Sequence, residues 1–113
     1  MDGKKQYYAI IDIGSNSIRL VVYSRAYSSR LQEVENVKTV ARLRNELDEE
    51  QNLSEEGIVK LISILLSFRE VIKNYHLTEF VCIATATVRQ AKNREEVLHR
   101  VYEATGWKLQ VLS

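Results

Sequence analysis

The N-terminal part of the chain alternates between short apolar runs and polar turns, a pattern typical of strands joined by hairpins. Tyr7–Ile13 is almost continuously apolar, which predicts a strand covered on both faces. Gly14–Ser17 interrupts it with turn residues, and Ile18–Tyr23 resumes with β-branched and aromatic residues. A second polar turn spans Arg25–Arg30, and the valines of Leu31–Val40 predict a third, half-exposed strand. The three segments together predict an antiparallel meander.

After the charged connector Ala41–Leu53, apolar residues recur at intervals of three and four, which predicts a helix with a buried face. Ser54 precedes this helix as a good N-cap, and two glutamates occupy its first turn, where the helix dipole favours negative charge. The residues on the predicted buried face are Ile58, Leu61, Ile62, Leu65, Phe68, Ile72 and Tyr75.

The remaining residues predict a strand, a second helix and a final strand. Phe80–Ala84 is a short apolar strand, followed by the connecting segment Thr85–Lys92. Asn93–Glu96 has the Asn-x-x-Glu form of a capping signal, and Gly106 lies where the end of a helix is expected. Lys108–Leu112 then begins another strand.

The resulting order, β-β-β-α-β-α-β, predicts an α/β fold with a mixed sheet. The sheet is expected to be antiparallel at its start and parallel where helical crossovers return the chain. A length of 113 residues allows one domain or part of one. Because Lys108–Ser113 is an apolar run without a closing polar tail, we expect the chain to be part of a larger domain.

Composition and charge exclude several classes of function. The chain has 16 Lys and Arg against 15 Asp and Glu, and this net charge of +1 gives no support to a nucleic-acid or membrane surface. No apolar run approaches the roughly 20 residues that span a bilayer. The single cysteine, Cys82, excludes an internal disulfide framework and indicates a reducing compartment such as the cytoplasm. Its apolar neighbours predict that Cys82 is a small core residue.

The first group of candidate ligand-binding residues is the turn after the first strand. A carboxylate at Asp12, near the end of a buried strand, is unfavourable unless it meets a cation, water or hydrogen-bond donors. Gly14 allows a ligand to approach the backbone closely. Further hydroxyl, amide and main-chain donors come from Ser15, Asn16 and Ser17. The group suits a phosphate, with Asp12 facing a metal ion or its water, but an ordinary hairpin turn capped by Asp12 explains the same residues equally well.

A second group follows the strand that ends at Ala84. Ligands of α/β sheets gather beyond the carboxyl ends of parallel strands, where Thr85 and Thr87 offer hydroxyls. Arg89 offers a planar guanidinium that binds phosphate oxygens in pairs. The residues alone favour the simpler interpretation, in which the threonines make turn hydrogen bonds and Arg89 is solvated.

Taken together, these segments resemble a known family. Tyr8–Leu20 is similar to the first phosphate motif of the exopolyphosphatase and guanosine pentaphosphate phosphohydrolase family. Further segments of that family are resembled, in the same order, by Arg42-Leu43 with Leu47-Asp48, by the helix start at Leu53-Ser54, and by Ala84-Thr85 through Asn93. The resemblance runs from about Tyr7 to the end of the chain.

The family belongs to the actin, heat-shock chaperone and sugar-kinase superfamily, whose members have ribonuclease H-like halves. The resemblance therefore implies that residues 1–113 are the N-terminal part of the first ribonuclease H-like (actin-like ATPase) domain of a larger phosphatase. The rest of that domain and the second domain would lie outside the chain. One departure stands out, because Arg44 and Glu46 occupy positions of the connector where the family often has glycine.

The resemblance also implies an activity, the magnesium-dependent removal of terminal phosphate from inorganic polyphosphate or guanosine pentaphosphate. Asp12 would then face the metal ion. The residues expected to bind phosphate are Gly14, Ser15, Asn16, Ser17, Arg19, Thr85 and Arg89. The catalytic glutamate of family members follows a serine that corresponds to Ser113, so the general base is expected beyond the chain, which should be inactive by itself.

We therefore expect a fragment of an exopolyphosphatase. Guanosine pentaphosphate phosphohydrolase is the alternative that no residue here separates from it, and a non-catalytic module that binds nucleotide or polyphosphate is the alternative of another class. The full-length protein is expected in the cytoplasm, without membrane or specific nucleic-acid partners, and a homodimer is compatible with the resemblance.

Overall fold

One mixed sheet organises the chain, with its helices packed against a single face. A computed structural model describes residues 5–26 and 30–112. The strands in that part are β1 (Gln6–Ile13), β2 (Ser17–Arg25), β3 (Gln32–Val40), β4 (Leu77–Ala84) and β5 (Gln110–Val111). The helices are a 3-10 helix (Leu43–Glu46), α1 (Glu55–Ile72), α2 (Ala86–Gln90) and α3 (Arg94–Thr105). The order of the predicted strands and long helices is confirmed.

The strands lie in the order β3-β2-β1-β4-β5. β1 pairs antiparallel with β2, and β2 with β3, which confirms the meander. β1 pairs parallel with β4, and β4 with β5, because helical crossovers return the chain to the same edge. The carboxyl ends of β1 and β4 therefore lie side by side, so the two groups of candidate residues meet there.

Helix α1 supplies much of the core. The Ser54 side chain accepts a hydrogen bond of 3.0 Å from the Gly57 amide, which confirms the predicted N-cap. The buried side chains of α1 lie against residues of β1 and β2 such as Ile11 and Leu20, both fully buried. The buried residues of α1 are Gly57, Ile58, Leu61, Leu65, Phe68 and Ile72.

Helix α3 begins and ends where the sequence predicts. Gly106 follows it with a φ of 80°, and its amide donates to the Tyr102 carbonyl at 2.8 Å. Asn93 precedes the helix, but its side chain does not cap it. Instead, Asn93 Oδ1 accepts the Leu53 amide at 2.8 Å, and Asn93 Nδ2 donates to the Leu53 carbonyl at 3.0 Å. The Asn-x-x-Glu signal therefore predicts the start of α3 correctly, although the Asn93 side chain bonds to Leu53 of the connector and not to the helix.

The prediction that β1 is covered on both faces is wrong. Ala9, Ile11 and Ile13 are buried, whereas Ile10 is 41% exposed and Asp12 is also exposed. Successive side chains of a strand point to opposite faces, and within the described residues the helices pack on only one of them. Asp12 is consequently not a buried carboxylate.

Both segments expected to be irregular contain a helical turn. The connecting segment Thr85–Lys92 includes α2, and the connector Ala41–Leu53 includes the 3-10 helix. Each piece is too short for apolar periodicity to reveal it. The predicted turn Arg25–Arg30 is only partly visible, since residues 27–29 lie outside the described residues, as does Ser113.

Candidate functional site

The turn between β1 and β2 is narrow and held by its own backbone. The Gly14 amide donates to the Ser17 carbonyl at 3.0 Å. A Cβ atom at Gly14 would lie 3.1 Å from that same carbonyl oxygen, so the close approach favours glycine. Ser15 and Asn16 form the tip, with the Asn16 side chain exposed. The turn therefore offers hydroxyl and amide groups at the carboxyl end of β1.

Asp12 and Arg19 lie opposite each other on the open face of the sheet. The Asp12 carboxylate makes no hydrogen bond or ion pair with any described residue, which leaves both oxygens available. Arg19 Nη1 donates to Asn36 Oδ1 at 2.5 Å, so the guanidinium leans toward β3. A lone carboxylate beside a cationic group thus borders the turn on this face.

The second group of candidates meets this turn directly. The Thr85 amide donates to the Ile13 carbonyl at 3.1 Å, and Thr85 Oγ1 lies 3.4 Å from the same oxygen. Thr87 Oγ1 donates to Ser15 Oγ at 2.8 Å, although 72 residues separate the two. The structure thus brings together the two segments that the sequence singled out separately.

Thr87 differs from the other candidate hydroxyls because it is only 3% exposed. A buried hydroxyl needs a hydrogen-bond partner, and Ser15 is the one found within the described residues. Thr87 therefore orients Ser15 and does not face a ligand itself. The sequence singled out Thr87 as a hydroxyl for a ligand, whereas the structure directs this hydroxyl to Ser15.

Arg89 lies further along the same edge of the sheet. Its Nη1 donates to the Leu112 carbonyl at 3.0 Å, and its own carbonyl accepts Arg94 Nη1 at 3.1 Å. These residues border an open cleft of about 480 Å³ whose other walls include Leu98 and Leu109. Arg89 is half-buried beside β5, and no described contact joins its side chain to the Gly14–Ser17 turn.

A third segment, the connector Ala41–Leu53, contacts the turn, and the pattern of residues did not predict this contact. The amides of Ala41 and Arg42 donate to the Asn16 carbonyl at 2.9 and 2.8 Å, and the Arg44 amide donates to the Ser15 carbonyl at 3.1 Å. The connector Ala41–Leu53 is therefore a wall of the candidate site. The sequence showed only a charged stretch, because backbone hydrogen bonds leave no pattern of side chains.

Glu46 fixes the connector to the start of α1. Its carboxylate accepts Lys60 Nζ at 2.9 Å and Ser54 Oγ at 3.2 Å, and Lys60 also donates to the Ala41 carbonyl at 3.1 Å. The hydrogen bond from Lys60 holds the pKa of Glu46 below its ordinary value. Glu46 stands where the resemblance has glycine, and the structure gives it this anchoring role.

The described residues fit a magnesium ion only if a phosphorylated substrate and water supply most of its oxygen ligands. No three of the described His, Cys, Asp and Glu residues cluster as a ligand set. Mg²⁺ commonly uses one or two carboxylates and takes its other oxygens from water and phosphate. Asp12, exposed and without a partner among the described residues, supplies such a carboxylate next to the turn.

No helix in the described part of the chain is long and apolar enough to cross a membrane. Cys82 is 3% exposed, and burial raises the pKa of its thiol to about 12. The thiol is therefore protonated near neutral pH and belongs to the core, as its apolar neighbours predict.

Comparisons with known proteins show which family the chain resembles. The family model described as the Ppx/GppA phosphatase family matches residues 10–113. The proteins named exopolyphosphatase 1 in Mycobacterium bovis and Mycobacterium tuberculosis are each 32% identical over 103 residues, which cover 91% of this chain and 30% of the relative.

Solved structures show the same fold. The crystal structure of the Aquifex aeolicus Ppx/GppA family member matches with a TM-score of 0.89 at 28% identity, covering 96% of this chain and 35% of that one. An exopolyphosphatase from Cytophaga hutchinsonii matches with a TM-score of 0.87 at 20% identity, covering 95% and 34%.

These matches confirm the predicted actin-like, ribonuclease H-like α/β half-domain. The chain spans 30% to 35% of the length of these relatives. Since the family model covers nearly all of the described residues, the chain belongs to the Ppx/GppA phosphatase family.

Proposed function

We propose that the chain provides one phosphate-binding half of an exopolyphosphatase, which releases terminal phosphate from inorganic polyphosphate. The observation that carries the proposal is the 2.8 Å hydrogen bond between Thr87 Oγ1 and Ser15 Oγ, which joins the two candidate segments into one site. The exopolyphosphatase names of the mycobacterial relatives support the substrate. In this proposal residues 1–113 are the N-terminal part of the first of two domains.

The mechanism assigns binding to the turn and leaves proton transfer to another part of the protein. Donors of Gly14–Ser17 hold the terminal phosphate by its oxygens, and the Thr85 hydroxyl joins them by giving up its long 3.4 Å contact with the Ile13 carbonyl. Arg19 and Arg89 add positive charge at either side. A water oxygen bonds to the terminal phosphorus while the bond from that phosphorus to the bridging oxygen breaks, which releases orthophosphate. The proton of the water goes to a general base that we expect beyond residue 113.

Asp12 would hold the Mg²⁺ ion in this site. When bound, Mg²⁺ neutralises charge on the phosphate oxygens. The exposed carboxylate of Asp12 orients toward the open face of the sheet, on the same side as Arg19. Arg19 would thus attract the phosphate chain, and Asp12 would hold the metal ion.

The experiment is phosphate release by the full-length protein with Mg²⁺, measured with malachite green on long-chain polyphosphate and on guanosine pentaphosphate. Faster release from polyphosphate supports the proposal. Faster release from guanosine pentaphosphate would assign the protein to the other substrate of the family. Binding of either compound without release would indicate a non-catalytic module, and neither binding nor release contradicts both.

Two further expectations belong to the full-length protein. The single, buried Cys82 suits a reducing cytoplasm, and fractionation of cells that express the tagged protein tests that location. A homodimer is compatible with the family resemblance, and light scattering of the purified protein measures its mass.

A further inference from the structure

The connector Ala41–Leu53 is attached to both segments that form the candidate site. At its start, the amides of Arg42 and Arg44 donate to the carbonyls of Asn16 and Ser15, at 2.8 and 3.1 Å. Near its end, the Gln51 carbonyl accepts the Lys92 amide at 2.9 Å. The backbone of the connector is thus held in place beside the turn.

Two arginines project from this fixed backbone. Arg42 and Arg44 are exposed, and neither guanidinium makes a hydrogen bond or ion pair with a described residue. Several other arginines of the described chain are paired, since Arg19, Arg89 and Arg100 each donate to an oxygen acceptor. Two arginines that have no side-chain partner among the described residues are therefore carried by backbone amides that bond directly to the turn.

The backbone of Arg42 is also held in an unusual state. Its φ of 51° and ψ of 49° place it in the left-handed region, which residues with a side chain enter at a cost in energy. The bond from its amide to Asn16 and the bond from the Asn45 amide to its carbonyl, at 2.9 Å, maintain this conformation. The chain thus keeps an arginine at a position where glycine would be less strained.

The backbone contacts place the two arginines beside the turn, on the side of the Ser15 and Asn16 carbonyls. The connector amides meet the carbonyl oxygens of Ser15 and Asn16, so Arg42 and Arg44 flank the turn. A terminal phosphate bound by the donors of the turn would leave the rest of its chain outside. Guanidinium groups at the flank are suited to the phosphates of that outer part, since their planar forks bind phosphate oxygens in pairs.

We propose that Arg42 and Arg44 form a subsite for the phosphates that follow the terminal one in a linear phosphoanhydride chain. The proposal rests on the proposed function, because it takes the turn as the place of the terminal phosphate. The subsite makes affinity depend on the length of the substrate, and it adds a salt-dependent share to binding.

The test uses the full-length protein with the variants Arg42→Gly, Arg44→Ala and both together. Glycine is chosen at position 42 because it accepts the positive φ without strain. Steady-state rates are measured on long-chain polyphosphate and on tripolyphosphate at low and high salt. Arg30→Ala is the matched control, since Arg30 is exposed and lies before β3, about 30 Å from the strand end that borders the turn.

The double variant is expected to raise KM for long-chain polyphosphate about tenfold, with kcat changed less than twofold, because charge-assisted hydrogen bonds to the bound chain are lost. The rise should be smaller for tripolyphosphate and smaller at high salt, and Arg30→Ala should change neither constant. Thermal melting verifies that each variant is folded.

Four results would overturn the subsite. An unchanged KM in the double variant excludes a role in binding, and an equal rise for both substrates places the arginines at the terminal phosphate. An equal rise in Arg30→Ala reduces the effect to net charge. If the unaltered protein releases phosphate from neither substrate, the proposed function fails and the subsite with it.

Discussion

Ser15 acquires its orientation from a residue that no ligand can touch. Thr87 Oγ1 is buried and donates to Ser15 Oγ at 2.8 Å, so the Ser15 oxygen is an acceptor toward the protein. Its own proton is then directed away from Thr87 and remains available to a phosphate oxygen. In the proposed site this pair divides the work between two residues, since Ser15 would meet the phosphate and Thr87 orients Ser15.

Replacing Thr87 by valine keeps the shape of the side chain but removes the hydroxyl. Thr87→Val in the full-length protein should raise KM for polyphosphate several-fold, because Ser15 loses its orientation, while Thr87→Ser should restore it. Thr105→Val is the control, since Thr105 is also buried and, among the described residues, its hydroxyl bonds only within α3 and to the Trp107 amide. Equal effects of the two valine variants on KM would indicate a general loss of packing.

Asp12 should affect turnover without affecting folding. Because its carboxylate is exposed and has no partner in the described chain, Asp12→Asn should change the melting temperature by less than about 2 °C, as expected for a surface substitution. The same variant should lower kcat at least about a hundredfold if the carboxylate holds the metal ion, by analogy with the loss of one preorganised electrostatic group.

Glu79→Gln provides the control for this variant. Glu79 is exposed at the other end of the β1–β4 pair, opposite Tyr8, and should leave kcat unchanged. A fall in melting temperature for Asp12→Asn as large as its fall in activity would make Asp12 a structural residue.

Among the elements, helix α1 and the connector pack closely because Gly57 of the helix has no side chain. A Cβ atom at Gly57 would lie 2.7 Å from Glu46 Cβ and 2.9 Å from Leu53 Cδ1. Gly57 is thus needed for close packing and has no positive φ to explain it. The departure at Glu46 from the glycine of the family is matched by a glycine on the facing helix.

This contact reverses the usual effect of a glycine in a helix. Gly57→Ala should lower the free energy of unfolding by about 1–3 kcal/mol through overpacking, although alanine normally favours a helix by up to about 1 kcal/mol. The Glu46→Gly change removes the closest atom, so the double variant should lose less than the sum of the single variants in urea titrations. Additive losses would mean that the two positions do not press on each other.

The same elements show what a sequence can predict. Helix α1 and its Ser54 cap, the meander and the Gly106 end were all predictable, because each depends on local periodicity or on one residue with a special conformation. The single-sided burial of β1 and the connector contacts with Ser15 and Asn16 were not, since they depend on which faces and backbone groups meet in three dimensions. The candidate residues Ser15 and Thr85 were predicted from their chemistry, whereas their neighbours required the parallel pairing of β1 and β4.

For the whole molecule, one apolar core behind the sheet supports the edge that carries the candidate site. Cys82 lies in that core on β4, directly opposite Ile11 of β1. Its accessibility therefore reports on the integrity of the parallel pair between the two segments of the site.

The Cys82 thiol should react with a thiol reagent such as DTNB only when the sheet opens. Its folded pKa of about 12 lies above the ordinary value of 9.0, so ionisation favours the unfolded chain and this contribution to stability is lost as pH rises above about 9. We expect labelling of the isolated chain at pH 8 to follow the unfolding curve in urea. Rapid labelling without denaturant would contradict the described burial.

The hydrogen bond between Ser15 and Thr87 also has a consequence for how the protein is made. The partners are 72 residues apart, with β2, β3, α1 and β4 between them. The meander can pair from neighbouring sequence as soon as it leaves the ribosome, but β4 must be synthesised and must insert beside β1 before the turn gains its second wall. Long-range parallel pairing is slow. The nascent chain therefore passes through a stage in which Gly14–Ser17 is already a turn, but the Ser15 hydroxyl is not yet oriented by Thr87.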